Sequence, residues 1–332
     1  MSALRVHGGR IDVAACLYPD APRPWLDLST GINPRPWMPS APIDVDINAL
    51  PSPDALHELE TVAADAFGTT PDRVVALPGS EIGLRSLGTL DLPFPHRVVV
   101  PSYGTHADVF GDADVVARSA VDGVTSGTVL LANPNNPDGY CDTPQRLLGV
   151  ARRGTWLVVD EAFADAMPET SIVPHLSADD PVIVFRSFGK FFGLAGLRLG
   201  FMVAPVAHAT AMRRRLGSWP VSAHAIAYGC AAYRDEAWQT DARLSIVGRA
   251  ERLDTLLTQH GLHGRGACPL FRLVEHDDAP ALFEGLARSG VLTRSFDHAP
   301  RWLRFGVPGY ETAFDRLDRA IGRSLGRALA RG

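Results

Sequence analysis

Between about residues 73 and 203, short apolar runs alternate with polar, glycine-bearing segments: RVVALP, RVVVP, ADVVA, TVLLAN, WLVVD, VIVF and LRLGFMVA. Several of these runs are continuously apolar, the pattern of strands covered on both faces. Segments with helical spacing fall between them, at about 80–90, 104–111 and 143–153. That order predicts an α/β domain built on a seven-stranded, mainly parallel sheet.

Upstream, Ser52 can cap a helix, Pro53 suits its first turn, and Leu56, Leu59, Ala63 and Phe67 repeat at helical spacing until Gly68. Residues 1–44 carry Pro19, Pro22, Pro24, Pro34, Pro36, Pro39 and Pro42, which predicts an extended arm rather than a helix, of the kind that crosses to another subunit. After about 205 the pattern changes to longer helical stretches (205–217, 222–259, 279–289 and 311–329) enclosing strands near CPLFRLVEH, GVLTRSF and RWLRFGV. The expected division is an arm with part of a small domain at 1–44, a large α/β domain at 45–217 and a small α+β domain at 218–332.

Composition narrows the field. With 46% apolar and 21% charged residues the 332-residue chain is a folded globular one, and a net charge of -5 supplies no field for binding nucleic acid. The basic run Arg213–Arg215 fits a solvated helix face. Cys16, Cys141, Cys230 and Cys268 have neither disulfide-framework nor metal-ligand spacing, which points to a reducing compartment and no metal. No leader pattern opens the chain and no apolar run is long enough to span a bilayer, so a cytoplasmic protein without membrane contact is expected.

Candidate chemistry lies where strands end. Lys190 is the one lysine among 32 basic residues and sits in SFGKFFGLAGLRLG, just after the run PVIVF. A desolvated lysine has a lowered pKa and can attack an aldehyde; a lysine reaching out of a loop is the plain alternative. Ser187 and Arg198 could turn toward one anion, and the PGSE stretch at 78–81 could form a second anion site or only a turn with a cap. Asp160, followed by Glu161, ends WLVVD, where it could face a cationic ring nitrogen or cap a helix. NPNNPDG at 133–139 is turn chemistry, with Asn136 able to reach a phenolic oxygen.

The order of these pieces matters more than any one of them. PGSE, Tyr103 in PSYGTH, NPNNPDG, VVDEAF, SFGKFFGLAGLRLG and LRFG at 303–306 together resemble the fold-type-I pyridoxal-phosphate enzymes of the aminotransferase superfamily, over essentially the whole chain. VHGG at 6–9, LDLSTGINP at 26–34, Phe163 where most aminotransferases carry tyrosine, and GVLTRSFD with RWLRFGVP narrow the likeness. They resemble the histidinol-phosphate aminotransferase branch and, within it, the threonine-phosphate decarboxylases of cobalamin biosynthesis.

The resemblance implies pyridoxal 5'-phosphate as cofactor, with Lys190 binding its aldehyde and Asp160 its pyridinium nitrogen. Asn136 would meet the phenolic oxygen with Phe163 near it, and Tyr103 would stack on the ring; Ser80, Ser187 and Arg198, aided by backbone N–H groups near Gly79, would hold its phosphate, and Glu81 would also border the cofactor. Arg304 would bind the substrate carboxylate; His7, Gly31, Asn33, Asn136 and Arg294 would complete the substrate site around a distal phosphate. His7 and Asn33 could instead belong to a purely structural arm, and Arg294 to a surface ion pair. Departures from the family are Leu50–Pro51 in place of tyrosine–proline, a phosphate loop one residue shorter, and Gly189 in place of a hydroxyl residue before the lysine.

The implied reaction is decarboxylation of L-threonine O-3-phosphate to (R)-1-amino-2-propanol O-2-phosphate and CO2, in a homodimer. The rivals are an aminotransferase acting on a phosphorylated amino compound such as histidinol phosphate, and a non-catalytic cofactor-binding subunit.

Overall fold

The continuous apolar runs form one sheet. In the computed structural model, which describes Leu4 and residues 7–329, seven of the described strands lie side by side. Their order is Val74–Leu77, Gly200–Val203, Val182–Ser187, Trp156–Asp160, Thr128–Ala132, His96–Val100 and Asp114–Ala117. Gly200–Val203 runs antiparallel to both neighbours and the remaining pairings are parallel, as expected for a mainly parallel sheet. The strands Thr128–Ala132 and Val74–Leu77 are buried at every position, which is why their sequences do not alternate. Register pairs Ala132 with Asp160 and Asp160 with Phe185, so two strands end level and the third runs on beside them to Ser187. Residues placed at those ends inherit the rigidity of the sheet.

The chain divides into two units: Pro36–Asn136 with Tyr140–Ala242, which holds this sheet, and Met1–Arg35 with Pro137–Gly139 and Arg243–Gly332. Val6 of the VHGG stretch and residues 330–332 lie outside the described residues. The division differs from the expected break at 217/218 because the Ala223–Arg234 helix packs against the Pro53–Phe67 helix of the larger unit. A Cβ at Gly229 would lie 2.7 Å from Leu59 Cδ1, and the Tyr233 ring meets Phe67 edge-on at 5.5 Å. The Pro53–Phe67 helix has the predicted ends: Ser52 Oγ accepts from Ala55 N at 3.1 Å, and Gly68 closes it at φ 72°.

The helix expected over 222–259 is two helices, Ala223–Arg234 and Glu236–Gln259. Asp235 breaks it, with Oδ1 accepting from Trp238 N at 3.1 Å and Oδ2 from Trp37 Nε1 at 2.9 Å. Arg213 is not a merely solvated position either: its guanidinium donates to Glu60 at 3.0 Å and to the carbonyls of Pro71 and Asp72. The helices expected over 80–90 and 104–111 shrink to Ser80–Arg85 and His106–Val109.

In the smaller unit Arg294–Ser295, Trp302–Gly306, Phe271–Glu275 and Gly264–Arg265 form an antiparallel sheet in that order. Helices Ala279–Arg288 and Glu311–Leu329 cross closely, a Cβ at Gly285 coming within 2.7 Å of Ser324 Cβ. The arm corrects the expectation of an extended chain. Its residues Ile11–Leu17 form a helix, because the prolines begin only at Pro19, and Ala14, Tyr18, Ala21 and Leu28 join the unit's own core. Leu26–Asp27 then pairs in parallel with Val291–Leu292.

Candidate active site

Asp160 closes its strand with a carboxylate that is almost fully buried. Oδ2 lies 3.0 Å from Nε2 of His106, which is wholly buried, and Oδ1 accepts from Ala162 N at 3.1 Å. His106 Nδ1 is buried without a hydrogen-bond partner, and the ring meets Tyr103 edge-on at 5.8 Å. Sequence reasoning missed His106: it sits in the irregular PSYGTH stretch, 54 residues from the aspartate it holds. Its spacing three residues after Tyr103 is the only signal the chain carries.

Glu161, the next residue, enters a different set of partners, since successive side chains at a strand end point to opposite faces. Its oxygens accept from Ser171 Oγ at 2.6 Å, Ile172 N at 2.7 Å and Arg186 Nη1 at 3.1 Å. Arg186 also pairs with Asp165 and lies 4.5 Å over the Phe67 ring. Burial pushes the Glu161 carboxyl up, and the cation of Arg186 offsets only part of that. This network ties the ends of two adjacent strands together from within the core.

Lys190 is half-buried on the one-turn helix Phe188–Phe191, which begins where Val182–Ser187 ends. Phe188, Phe191 and Phe192 are all buried; Phe188 stacks on Phe192 at 4.5 Å and Phe191 meets Trp238 at 5.4 Å, so packed rings fix the turn that carries the lysine. Gly189 is required there. A Cβ would come within 2.6 Å of Ala195 Cα, which explains why no hydroxyl residue precedes the lysine in this chain.

Arg198 adopts the left-handed region at φ 54° and Nη1 donates to Ala195 O at 3.2 Å. Its guanidinium lies against Gly79, whose own φ is 90°; a Cβ at Gly79 would sit 2.7 Å from Nη2. Gly200 in turn leaves room for Ser80 N and the Gly79 carbonyl carbon. Gly79, Ser80, Arg198 and the strand end at Ser187 are therefore brought together around a cradle that side chains would fill.

Glu81 Oε1 accepts from Arg85 Nε at 2.7 Å and Thr105 Oγ1 at 2.9 Å, so its side chain holds the loop that presents Tyr103. Burial raises the Tyr103 phenol above its ordinary pKa; Thr105 offsets part of this, and the carboxylates of Glu81 and Asp160 add to it. Asn133 fixes the next turn, Nδ2 donating to Thr170 O at 2.9 Å and Oδ1 accepting from Asp142 N at 2.8 Å. Asn136 follows in that turn, half-buried, and Phe163 is buried just after the Asp160 strand.

The remaining expected residues belong to the smaller unit. Arg304 is 6% exposed, lies 4.9 Å over the Phe271 ring, and donates from Nη2 to Ser29 O at 2.9 Å. Arg294 is its direct cross-strand partner and donates from Nη1 to Leu4 O at 3.1 Å. Burial, then the Arg294 charge, pull the Arg304 guanidinium down to about 10. Like charges placed opposite each other destabilise a sheet, so this pair is suited to a bound anion. Gly31 and Asn33 are buried, with Asn33 Oδ1 accepting from Arg35 N at 3.0 Å, and His7 is exposed.

The larger unit thus offers a lysine, a buried carboxylate with its own histidine, and a glycine-lined cradle beside a guanidinium: the donor set for a phosphorylated aldehyde with a basic ring nitrogen. Among the described residues no group of three or more potential metal ligands occurs, and no helix is long and apolar enough to cross a membrane.

Residues 106–321 match the family described as aminotransferase class I and II. The chain is 40% identical to a threonine-phosphate decarboxylase from Sinorhizobium sp over 100% of its own length and 99% of the relative's. It is 37% identical to a threonine-phosphate decarboxylase from Pseudomonas aeruginosa, covering 95% of this chain and 96% of that one. Among solved structures, histidinol-phosphate aminotransferase from Sinorhizobium meliloti in complex with pyridoxal-5'-phosphate superposes with a TM-score of 0.73 at 23% identity. That match covers 86% of this chain and 84% of the other, and it shows a shared fold.

Proposed function

Because the chain belongs to the class I and II aminotransferase family, we propose that it is a pyridoxal-phosphate enzyme that decarboxylates L-threonine O-3-phosphate. The observation that carries the reaction is the likeness, over the full length, to two threonine-phosphate decarboxylases. The cross-strand pair Arg294 and Arg304 supports the substrate class, an amino acid with a carboxylate at one end and a phosphate at the other.

When bound, pyridoxal phosphate supplies the electron sink for the bond broken at Cα. The protein does the rest. Lys190, whose amine can bond an aldehyde, would hold the cofactor there. Asp160 holds a proton at the ring nitrogen, and His106 keeps the carboxylate in place. Arg198, Ser187, Ser80 and the backbone at Gly79 bind the cofactor phosphate; Tyr103 covers the ring and Asn136 binds its phenolic oxygen. Phe163 offers no phenol to that oxygen.

Arg304 binds the substrate carboxylate, while Arg294, His7 and Asn33, with Gly31, bind the distal phosphate. Gripping the substrate at two ends spends remote binding energy on orienting the bond that breaks. Once CO2 has left, Lys190 returns a proton to Cα, giving (R)-1-amino-2-propanol O-2-phosphate.

The reading extends to a cytoplasmic homodimer in cobalamin biosynthesis. Met38, Ile47 and Leu50, 67%, 72% and 67% exposed on one chain, support the dimer, since apolar side chains grouped in a single segment suit a covered surface. The test is product identity. The loaded enzyme, given L-threonine O-3-phosphate and no 2-oxo acid, should accumulate the amino-propanol phosphate over many turnovers. An enzyme that stops after one turnover with its cofactor in the amine form is a transaminase.

A further inference from the structure

Ser29 makes more contacts to Arg304, Asp27 and the arm than any role assigned above requires. Its amide N donates to Asp27 Oδ1 at 2.9 Å, and its hydroxyl oxygen lies 2.6 Å from the same carboxylate oxygen. An ionised carboxylate only accepts, so the hydroxyl proton points to Asp27 and a lone pair of Oγ is left for the Gly9 N–H, 2.7 Å away. The Ser29 carbonyl accepts from Arg304 Nη2 at 2.9 Å. Ser29 is 2% exposed, and the approach to it demands glycine: a Cβ at Gly8 would come 2.9 Å from the Ser29 carbonyl carbon. The same arm is tied at its other side by the Leu4 carbonyl, which accepts from Arg294. His7 lies between these two ties.

We propose that Ser29, oriented by Asp27, is a positioning residue: its hydroxyl fixes the His7–Gly9 segment against the strand that carries Arg304, setting recognition of the substrate's distal phosphate. This rests on the reading of the substrate given above. The carboxylate grip runs through the Ser29 backbone and the phosphate end through its side chain, so one substitution separates the two. Ser29→Ala keeps the carbonyl that receives Arg304 and removes the hydroxyl, and with it both the acceptor of Gly9 and the bond to Asp27.

The test uses the pyridoxal-phosphate-loaded full-length enzyme. Ser29→Ala should raise KM for L-threonine O-3-phosphate about tenfold, the worth of one charge-assisted hydrogen bond, with kcat within about threefold of the parent. Hydrogen exchange at the Gly9 amide should quicken, while the thermal midpoint and the exchange of the Glu311–Leu329 helix stay put. Asp27→Ala should reproduce the KM effect by releasing the hydroxyl, and the double variant should show no more than the larger single effect, as for one relay.

An unchanged KM in Ser29→Ala, additive effects in the double variant, or a fall in kcat with faster exchange throughout the chain would each overturn the proposal. Absence of CO2 from the parent enzyme would instead count against the substrate reading, and Gly9 exchange in Ser29→Ala would still report on the relay.

Discussion

Arg294 and Arg304 are register partners on adjacent antiparallel strands, so two guanidinium-bearing positions face each other, and the second is buried. Nothing in a stable sheet calls for that pairing unless an anion is to be held there.

The pH behaviour of Arg304 follows from that geometry. Its pKa is lowered by burial and by Arg294 to about 10, so above that pH a growing share of the free protein lacks the cation, and anion affinity should fall as pH rises. Arg294→Gln removes the second cause and should move this alkaline limit upward, measured by titrating L-threonine O-3-phosphate binding against pH. Arg304→Ala should lower kcat/KM by about 30-fold or more, since truncating a buried charged partner costs about 2–5 kcal/mol.

His106→Ala leaves Asp160 buried with one partner fewer. An unsatisfied buried group costs about 1–3 kcal/mol, so the thermal midpoint of the cofactor-free protein should drop by several degrees. Cofactor affinity should fall as well, and His106→Asn should restore part of both, read by calorimetry and by cofactor titration.

Arg186→Met should be the most damaging core change. It strands Glu161 and Asp165 in the interior, at about 3–5 kcal/mol of unfolding free energy in urea. Burial already raises the Glu161 pKa above its unfolded value, so the proton it gains on acidification favours the folded state. The deficit of Arg186→Met against the parent should therefore shrink as pH falls toward the carboxylate range and widen as pH rises. A deficit that does not vary with pH would remove Glu161 from the explanation.

Gly189→Ser places a hydroxyl before the lysine, and it should weaken the enzyme. The new Cβ meets the Ala195 backbone, and overpacking of this kind costs about 1–3 kcal/mol. Cofactor affinity measured by absorbance titration should fall, and adding Ala195→Gly, which removes only the Cβ contact, should recover a minor part.

Much of this arrangement is legible in the sequence. The seven strands are readable because runs such as TVLLA are buried on both faces, and Asp160, Ser187 and Lys190 are readable because they sit at the ends of those runs. What is hidden depends on contacts far apart in the chain. His106 gains its meaning only from Asp160 across the sheet edge, and the Glu81 carboxylate also takes Thr105, 24 residues away, which no local pattern announces. Helical spacing runs through Asp235 without a break, and only the bonds from Trp37 and Trp238 show a cap there. The unit boundary was concealed likewise, because a glycine at 229 marks a helix crossing only when Leu59 is known to lie against it.

The most direct measurement is CO2 released per active site when the loaded enzyme meets L-threonine O-3-phosphate with no 2-oxo acid present. The account predicts continuing release, equal to the amine product and far above one per site, and loss of it in Lys190→Ala. Release at or below one per site, with the cofactor converted to its amine form, would contradict it.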